Sequence, residues 1–528
     1  MRVHQACGCK LPFGRIIFRR INLSLYEVRQ FNNFPELINS SVDCFGDSIA
    51  FCQKKGDAVV NYTYNEFKSA VMSFGSFLSK AGFSEGRIAV CAENSVEWCI
   101  AYMAGAVYCE TVVPVDKELT GENIAATIEK AGAKVLVTDQ KTFSKLPENM
   151  GITIIGIDFE SENIKPLSSF LTESNVLPMP TKAAGTPSVM LFTSGTTGKS
   201  KAVMLSQENI CFDISAVMKI VKINHGERVL SLLPLHHTYE CSISFLCCLY
   251  AGVSVCFGGG IKDIYKDFKL FAPHALVLVP LILKKFAAKF KKLPPLPDRL
   301  LKKRVLDFFG GNLRLVVCGA APIESDVLKE VSRFIPTIIH GYGLTECSPI
   351  ALCNPDFDVS LDSVGKPLPG TQAKIINPDE NGTGEICVKG DMVMAGYFDG
   401  EKVNDVRDAD GWFHTGDLGY CDEKGNYHIT GRLKNLIVTP NGKNIYPEEL
   451  ELQLGEFKEI TECMVYEGVD SRGSAAVWAK IVTPSDSDKV QKIIKKVNSK
   501  NAPYKAIKGF EIYEELPKNT SFKIIRNK

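Results

Sequence analysis

Strand-like and helix-like segments alternate along this chain from about residue 60, and this alternation constrains the fold more than any other feature. The stretch "RIAVCAE" (87–93) is typical of a buried strand, "SVEWCIAYMAGAVYC" (95–109) of a mostly apolar helix, and "VVPVD" (112–116) of the next strand. The stretch "TGENIAATIEKAG" (120–132) begins with a Thr that can cap a helix and finishes on a Gly that can end it. Repeated strand–helix–strand units predict parallel or mixed sheets covered by helices.

The pattern changes twice toward the C-terminus. The stretch "SVGKPLPGTQAKIINPDENGTGEICVKG" (363–390) combines short strands with many Gly, Pro and Asn turns, which predicts a small antiparallel sheet or barrel. The 95 residues from Lys434 onward have a compact α+β pattern and suffice for a separate small domain. We therefore predict an α/β protein with an N-terminal extension (1–30), a large domain of helix-covered mixed sheets plus a small barrel-like subdomain (31–433), and a small mobile α+β domain (434–528).

The composition limits the classes of function. Lys and Arg number 61 against 60 Asp and Glu, and this net charge of +1 does not favour nucleic acid as a partner. The 18 cysteines are scattered without metal-ligand spacing and many lie in apolar runs, which indicates reduced, buried thiols. Residues 241–260 are uncharged, but Ala251-Gly252 divides them, so we predict helix, turn and strand instead of a membrane span. We expect a cytoplasmic protein with at most peripheral membrane contact.

The stretch "MLFTSGTTGKSKAVML" (190–205) places a polar loop between two strand-like runs. A P-loop, G-x-x-x-x-G-K-[ST], requires its first Gly where Thr193 stands, and it requires a helix where "KAVML" follows. We therefore predict a strand–loop–strand hairpin. Its amides, hydroxyls and lysines could hold a triphosphate, although an ordinary polar hairpin would have the same composition.

Five later stretches share this polar, small-residue character: "CGAAPI" (318–323), "HGYGLTECSP" (340–349), "GWFHTGDLGY" (411–420), "YHITGRLKN" (427–435) and "LPKNTSFKIIRNK" (516–528). Taken one at a time, each has an ordinary structural explanation. Tyr342 could be a core aromatic, Glu346 a solvated acid, Asp417 a turn residue and Lys523 an exposed charge. Their occurrence together in this order requires a common explanation.

The order of these motifs resembles the adenylate-forming superfamily of acyl-CoA synthetases, luciferases and adenylation domains, over roughly residues 45–526. The stretch "FTSGTTGKSKAV" resembles the phosphate loop of that family, and "GYGLTE", "TGD", "GRLKN" and "PKNTSFKI" resemble its later signatures. One departure is Phe522, which stands before the terminal lysine where the family usually has a small residue. The resemblance implies a two-step reaction, in which a carboxylate attacks the α-phosphorus of ATP to give acyl-AMP and pyrophosphate, and a thiol then displaces AMP.

The resemblance also implies which residues bind the nucleotide. The loop would hold the β- and γ-phosphates, Tyr342 would stack on adenine, Thr345 would contact the α-phosphate, and Asp417 with Arg432 would hold the ribose. Glu346 would be the protein ligand of Mg²⁺, a hard oxygen for a hard ion. The full set of implied nucleotide-binding residues is Thr193, Ser194, Gly195, Thr196, Thr197, Gly198, Lys199, Gly319, Ala320, Ala321, Tyr342, Gly343, Thr345, Asp417 and Arg432.

Four further residues carry implied roles in catalysis and in the change between the two steps. Lys523 would bridge the carboxylate and α-phosphate oxygens, and His237 would stand at the gate of the acyl pocket. Lys434 lies at the position of the family's hinge. Rotation there would withdraw Lys523 and bring Gly442 to the site, where a Gly lets a thin pantetheine arm pass.

The acid is predicted from the stretch "LPLHHTYE" (233–240) and the helix after it. Amino-acid-activating members usually carry an Asp in this segment, whereas this chain has none, and the following helix is uncharged. The resemblance here is closest to bacterial long-chain acyl-CoA synthetases, which implies a medium- or long-chain fatty acid with ATP, Mg²⁺ and coenzyme A. Two other interpretations stay open: an acyl-AMP ligase that loads a free-standing acyl carrier protein, and a nucleotide-binding protein without catalytic activity.

Overall fold

The computed structural model describes residues 25–172, 175–193, 201–295, 297–438, 443–469, 475–518 and 524–526. Several of its helices begin where the sequence supplies a side-chain cap. Thr63 and Glu66 form a reciprocal capping box at the start of one helix, and Gly132 ends another in the left-handed conformation that Gly adopts without steric cost.

The helices of the described residues lie mostly in the first two thirds of the chain. They are α1 Phe34–Phe45, α2 Tyr64–Lys80, α3 Val96–Tyr108, α4 Gly121–Ala131, α5 Gln140–Phe143, α6 Gln207–Met218, α7 Thr238–Glu240, α8 Cys247–Ala251, α9 Ile264–Phe271, α10 Pro280–Phe290, α11 Asp298–Phe308, α12 Ser325–Ser332, α13 Pro447–Gly455 and α14 Ser487–Ser499. A π-helical segment, Cys241–Leu246, joins α7 to α8. None of the described helices is both long and apolar enough to cross a membrane.

The strands occur throughout the described residues. They are β1 Ile49–Lys55, β2 Ala58–Thr63, β3 Arg87–Cys91, β4 Thr111–Pro114, β5 Ala133–Thr138, β6 Thr153–Gly156, β7 Lys165–Pro166, β8 Pro187–Thr193, β9 Lys201–Ser206, β10 Arg228–Leu230, β11 Ser254–Phe257, β12 Ala275–Leu278, β13 Leu315–Cys318, β14 Thr337–Gly343, β15 Ile350–Cys353, β16 Lys366–Pro367, β17 Gln372–Ile376, β18 Gly384–Lys389, β19 Gly396–Phe398, β20 Val403–Asn404, β21 Phe413–Cys421, β22 Tyr427–Arg432, β23 Ile437–Val438, β24 Asn444–Ile445, β25 Glu462–Val469, β26 Ala475–Val482 and β27 Ile507–Tyr513.

Two nine-stranded sheets of mixed direction form the large domain. One has the order β16-β15-β14-β13-β12-β10-β11-β1-β2, and the other has the order β20-β19-β9-β8-β4-β3-β5-β6-β7. Side chains from both sheets belong to one continuous apolar core, together with those of α3. Helix α3 is buried on nearly every side, which explains why its sequence is apolar all round instead of amphipathic. The predicted α/β class with helix-covered mixed sheets is confirmed.

The later part of the chain is built from smaller sheets. Strands β17, β18, β21 and β22 form a four-stranded antiparallel sheet, in agreement with the many turns of that region. Strands β25, β26 and β27 form a three-stranded sheet, and with α13 and α14 they enclose a second apolar core that is separate from the large one. The exact domain boundaries at residues 30 and 433 stay predictions.

The uncharged stretch after His237 folds as helix, turn and strand, as predicted. Its helical part ends at Ala251, Gly252 follows in a left-handed conformation, and β11 begins at Ser254. Each cysteine of the described residues is a free thiol, and most are buried.

Candidate active site

Tyr342 and Arg432 both contact Asp417, although Tyr342 and Asp417 are 75 residues apart in the sequence. Asp417 on β21 and Arg432 at the end of β22 are direct partners in the antiparallel ladder, and the Arg432 Nε lies 2.8 Å from the Asp417 Oδ1. The hydroxyl of Tyr342, at the end of β14, donates to the Asp417 Oδ2 over 2.6 Å. Asp417 is buried, so both of its oxygens are oriented by charged or polar partners before any ligand arrives.

The electrostatics of this cluster favour the neutral form of the Tyr342 phenol. Burial, followed by the neighbouring Asp417 carboxylate, raises the pKa of Tyr342 well above its usual range. Partial burial lowers the pKa of Arg432, but Asp417 and the other acidic groups nearby together outweigh that effect, and the pKa ends above its ordinary value. The arrangement presents carboxylate oxygens to hydroxyl donors, which is what the hydroxyls of a ribose require.

The two predicted adenine-binding segments lie at the C-terminal ends of two neighbouring parallel strands, at the same edge of a sheet. Gly319, Ala320 and Ala321 follow β13, Tyr342 and Gly343 end β14, and these two strands pair in parallel. Ligands of open α/β sheets bind at the carboxyl ends of strands. Ala320 has φ +67°, a left-handed conformation that is uncommon for a residue with a Cβ, and such strain is concentrated at functional sites.

Glu346, the predicted magnesium ligand, is held by a residue that the sequence analysis missed. Thr345 and Glu346 lie in a short 3₁₀ turn, Thr345–Cys347, directly after β14, and the hydroxyl of Tyr397 donates to the Glu346 Oε1 over 2.7 Å. Tyr397 lies on β19, which pairs with β9. Its local sequence, "AGYF" (395–398), has a tyrosine after a glycine and no motif that indicates this role.

The predicted hairpin is confirmed by the strands on either side of its loop. Strands β8 and β9 are antiparallel, and Thr193, the last residue of β8, pairs with Lys201, the first residue of β9. The Lys201 Nζ lies 4.6 Å from the centroid of the Tyr397 ring, so the return strand also contacts the residue that holds Glu346. The other predicted loop residues, Ser194, Gly195, Thr196, Thr197, Gly198 and Lys199, lie outside the described residues.

The acyl segment combines two adjacent histidines with a small apolar cavity. The rings of His236 and His237 lie 4.2 Å apart between centroids, and His237 immediately precedes α7. His236 lines a cavity of about 10 Å³, room for one water molecule. The other lining residues are Tyr102, Pro114, Val189, Leu191, Leu205, Ile210, Leu235, Thr238, Cys241 and Ser242.

Burial shifts the pKa values of two ionisable groups near this cavity in the direction of their neutral forms. Burial, and then the nearby Lys117, lowers the pKa of His236 to about 3. Burial raises the pKa of Glu240 to about 8, although the Ser231 hydroxyl donates to its Oε1 over 2.7 Å. A neutral, mostly aliphatic surface on this side of His237 suits an apolar group better than an ammonium group.

The predicted hinge residue, Lys434, lies close to Arg432, whereas the other predicted C-terminal residues lie outside the described part of the chain. Lys434 is exposed in a 3₁₀ turn, Leu433–Asn435, directly after β22, and partial burial followed by repulsion from Arg432 lowers its pKa. Arg526 forms an ion pair with Glu451 on α13, which fixes the last described residues to the small domain. Lys523 and Gly442 both lie outside the described residues.

Comparison with known proteins assigns the chain to a family. The profile of the family described as AMP-binding enzyme matches residues 39–398, and the profile of the AMP-binding enzyme C-terminal domain matches residues 449–523. The chain belongs to the AMP-binding enzyme family.

Similar family members include enzymes that attach acids to coenzyme A. The chain is 28% identical to 4-coumarate–CoA ligase 3 of Oryza sativa subsp. japonica over 90% of this chain and 88% of that one. It is also 28% identical to 2-succinylbenzoate–CoA ligase of Bacillus licheniformis, over 94% of this chain and 99% of that one.

Solved structures extend this likeness to the fold. ATP-bound MatB from Rhodopseudomonas palustris superposes with a TM-score of 0.79 at 25% identity, over 93% of this chain and 97% of that one. The o-succinylbenzoate CoA synthetase of Bacillus subtilis, in complex with its acyl-adenylate intermediate, superposes with a TM-score of 0.76 at 23% identity, over 94% and 97%. At that lower identity the second likeness shows the fold alone.

Proposed function

We propose that this AMP-binding enzyme is an ATP-dependent, AMP-forming ligase that joins a carboxylic acid to coenzyme A through an acyl-adenylate. The observation that carries the proposal is the contact of Asp417 with both Arg432 and Tyr342, because it prepares acceptors for a ribose at the carboxyl edge of the sheet. The CoA ligases among the similar proteins support the same reaction class.

The proposed reaction has two steps with balanced bonds. A carboxylate oxygen attacks the α-phosphorus of ATP, the bond from that phosphorus to the bridging oxygen breaks, and pyrophosphate leaves. The thiolate of coenzyme A then attacks the acyl carbonyl, the bond from the carbonyl carbon to the phosphate oxygen breaks, and AMP leaves. Both transition states develop negative charge on oxygen, so the protein acts chiefly by positioning reactants and stabilising charge.

Residues of the first step have distinct tasks in this proposal. Asp417 and Arg432 orient the ribose, Tyr342 lies against the adenine, and Lys523 contacts the carboxylate and α-phosphate oxygens. Glu346 suits Mg²⁺, because Tyr397 holds one oxygen of its carboxylate, while none of the described residues donates a hydrogen bond to the other oxygen and competes with a hard cation. Bound there, Mg²⁺ would neutralise charge on the phosphates.

The second step requires a change of the small domain in this proposal. Lys434 would be the pivot, positioned where β22 of the large domain ends, and residues 434–528 would rotate about it. The rotation would withdraw Lys523 and place Gly442 beside the pantetheine arm. Lys434 is exposed and lies in a short 3₁₀ turn, so its backbone is free of the buried packing that would resist a change of dihedral angles.

A medium- or long-chain fatty acid is the acid that we propose. Support comes from the absence of an Asp in residues 233–240 and from the mostly apolar side chains that surround His236. An aromatic acid is the second candidate, since the similar proteins include 4-coumarate–CoA and 2-succinylbenzoate–CoA ligases.

One assay tests the reaction class and the acid together. Pyrophosphate release is measured with octanoate, palmitate, 4-coumarate and acetate, each without acceptor, with coenzyme A, and with an acyl carrier protein. CoA-dependent turnover of any acid supports the ligase, and the preferred acid decides between the two candidates. If turnover requires the carrier protein and not coenzyme A, the carrier protein is the acceptor. If no acid causes release of pyrophosphate, the proposed catalysis is wrong and only nucleotide binding is left.

A further inference from the structure

Positive charge is concentrated in one short part of this nearly neutral protein. Residues 261–308 contain twelve Lys and Arg against four Asp, a net charge of +8, whereas the whole chain carries +1. The remainder of the chain is therefore acidic, with a net charge of −7. An asymmetry of this size marks a surface that attracts an anionic partner.

All twelve cationic side chains are exposed. They are Lys262, Lys266, Lys269, Lys284, Lys285, Lys289, Lys291, Lys292, Arg299, Lys302, Lys303 and Arg304, and we call them the basic surface. Lys266 pairs with Asp263 and Lys284 pairs with Glu324, at 2.9 and 2.8 Å. Within the described part of the chain, no carboxylate forms an ion pair with the other ten. Ordinary solvated faces mix both signs of charge, so ten unpaired cations repel one another without a gain in the isolated protein.

Nine of these cations lie on helices α9, α10 and α11, and the other three lie just before α9 or directly after α10. The Lys289 Nζ on α10 lies 4.0 Å from the ring centroid of Tyr265 on α9 and 4.3 Å from that of Phe308 on α11. The rings of Tyr265 and Phe308 lie 5.2 Å apart. Helices α9, α10 and α11 therefore pack side by side, and their exposed cations belong to the same region of the molecule.

Large apolar side chains are exposed among the cations. Ile261, Tyr265, Leu270 and Leu300 are each about half exposed. Helix α11 is the extreme case, since Val305 is its only buried residue while Leu300 faces solvent beside Lys302 and Lys303. Exposed leucines intermixed with lysines are typical of helices that lie in the interface of a lipid bilayer.

We propose that the basic surface docks this protein on an anionic lipid membrane, with α11 and the end of α9 against the headgroups. Nucleic acid is less suited, because ten of the twelve cations are Lys and planar recognition of phosphate diesters favours Arg. An acidic protein would match the charge but would not need the separate exposed Ile, Leu and Tyr side chains. The inference does not depend on the proposed ligase reaction, because docking is measured without substrate.

Vesicle co-sedimentation of the full-length protein tests the proposal. The probes are phosphatidylcholine vesicles with and without phosphatidylglycerol. The key variant combines Lys302→Glu, Lys303→Glu and Arg304→Glu on α11. Its matched control combines Lys492→Glu, Lys495→Glu and Lys496→Glu on α14, a second basic helix with exposed lysines and no large exposed apolar side chain among its residues.

We expect binding only to vesicles that contain phosphatidylglycerol, and weaker binding at high salt. Each cation near the membrane contributes about 5-fold in partitioning, so the α11 variant loses about 100-fold or more while the α14 variant loses little. Leu300→Ser with Leu270→Ser keeps every charge and is expected to reduce partitioning several-fold. Circular dichroism of each variant confirms that these exposed substitutions leave the fold intact.

Three results would overturn the proposal. The first is equal partitioning of the wild-type protein to both kinds of vesicle. The second is an equal loss in the α11 and α14 variants, which would make net charge alone responsible. The third is tight binding of a single-stranded oligonucleotide or an acidic carrier protein that the α11 variant abolishes, without binding to anionic vesicles.

Discussion

Tyr397 donates a 2.7 Å hydrogen bond to Glu346 across a sequence separation of 51 residues. Its strand, β19, pairs with β9, and Lys201 at the start of β9 contacts the Tyr397 ring. The proposed magnesium ligand is therefore connected through one side chain to the strand that returns from the predicted phosphate loop. A movement of that strand would therefore shift Tyr397 and, through its hydrogen bond, the carboxylate of Glu346.

Tyr397→Phe removes this hydrogen bond and keeps the ring. A hydrogen bond to a charged group contributes about 1.5–3 kcal/mol, so we expect the Mg²⁺ concentration for half-maximal pyrophosphate release to rise about 10-fold or more. Tyr513→Phe is the matched control, because Tyr513 donates to Glu511 over 2.8 Å in the small domain. If the Mg²⁺ requirement of the Tyr397 variant equals that of the control, the hydrogen bond does not position the ligand.

Lys523→Ala should impair adenylation selectively. Loss of a charge contact in a phosphoryl-transfer transition state costs about 3 kcal/mol, or about 10²-fold in rate. We expect this loss in pyrophosphate release, while formation of the thioester from supplied acyl-AMP and coenzyme A continues. The same reduction in both half-reactions would assign the effect to damage of the fold.

Lys434→Pro should have the opposite selectivity. Proline restricts φ to about −65°, and the proposed rotation requires the backbone at this residue to change. We expect pyrophosphate release in the absence of coenzyme A to be retained and thioester formation to fall by about 10-fold or more. Lys434→Ala, which keeps the backbone free, serves as the control, and normal overall turnover of the proline variant would place the hinge elsewhere.

Glu240 makes the stability of the fold depend on pH. Burial raises its pKa from 4.5 to about 8, so between these values the folded state holds a proton that the unfolded state has released. Rising pH therefore favours unfolding throughout this window, and the loss levels off above about pH 8. We expect the wild type to lose about 3 kcal/mol relative to Glu240→Gln between pH 5 and pH 8 in denaturant unfolding. A difference that stays constant with pH would contradict the neutral, buried Glu240.

Ile210→Ala should enlarge the cavity beside His236 and shift the preferred acid toward a larger one. Each additional buried methylene contributes about 0.8 kcal/mol, or about 4-fold in kcat/KM, until the new space is filled. The substitution also costs about 2–4 kcal/mol of stability, measured by unfolding. Ile214→Ala is the matched control, because Ile214 is equally buried on α6 but does not line this cavity. An identical change of acid profile in both variants would show that the cavity is not the acyl pocket.

The sequence alone predicted the structural features that are formed by residues close together in the chain. The hairpin of β8 and β9 followed from strand-like runs on either side of a polar loop, and the pairing of Thr193 with Lys201 confirms it. The helix, turn and strand of 241–257 followed from Ala251-Gly252, since the left-handed Gly252 ends the helix. Each depends on backbone preferences and hydrophobic periodicity within about twenty residues, which a sequence displays directly.

The tertiary structure alone decided which distant side chains meet. The resemblance named Tyr342, Asp417 and Arg432 separately, but only the ladder of β21 with β22 and the end of β14 bring them into hydrogen-bonding distance. Tyr397 was missed for the same reason, since β19 joins β9 across nearly 200 residues. Strand register and helix packing are set by the whole buried core, so contacts between distant residues have no local signature that a sequence can display.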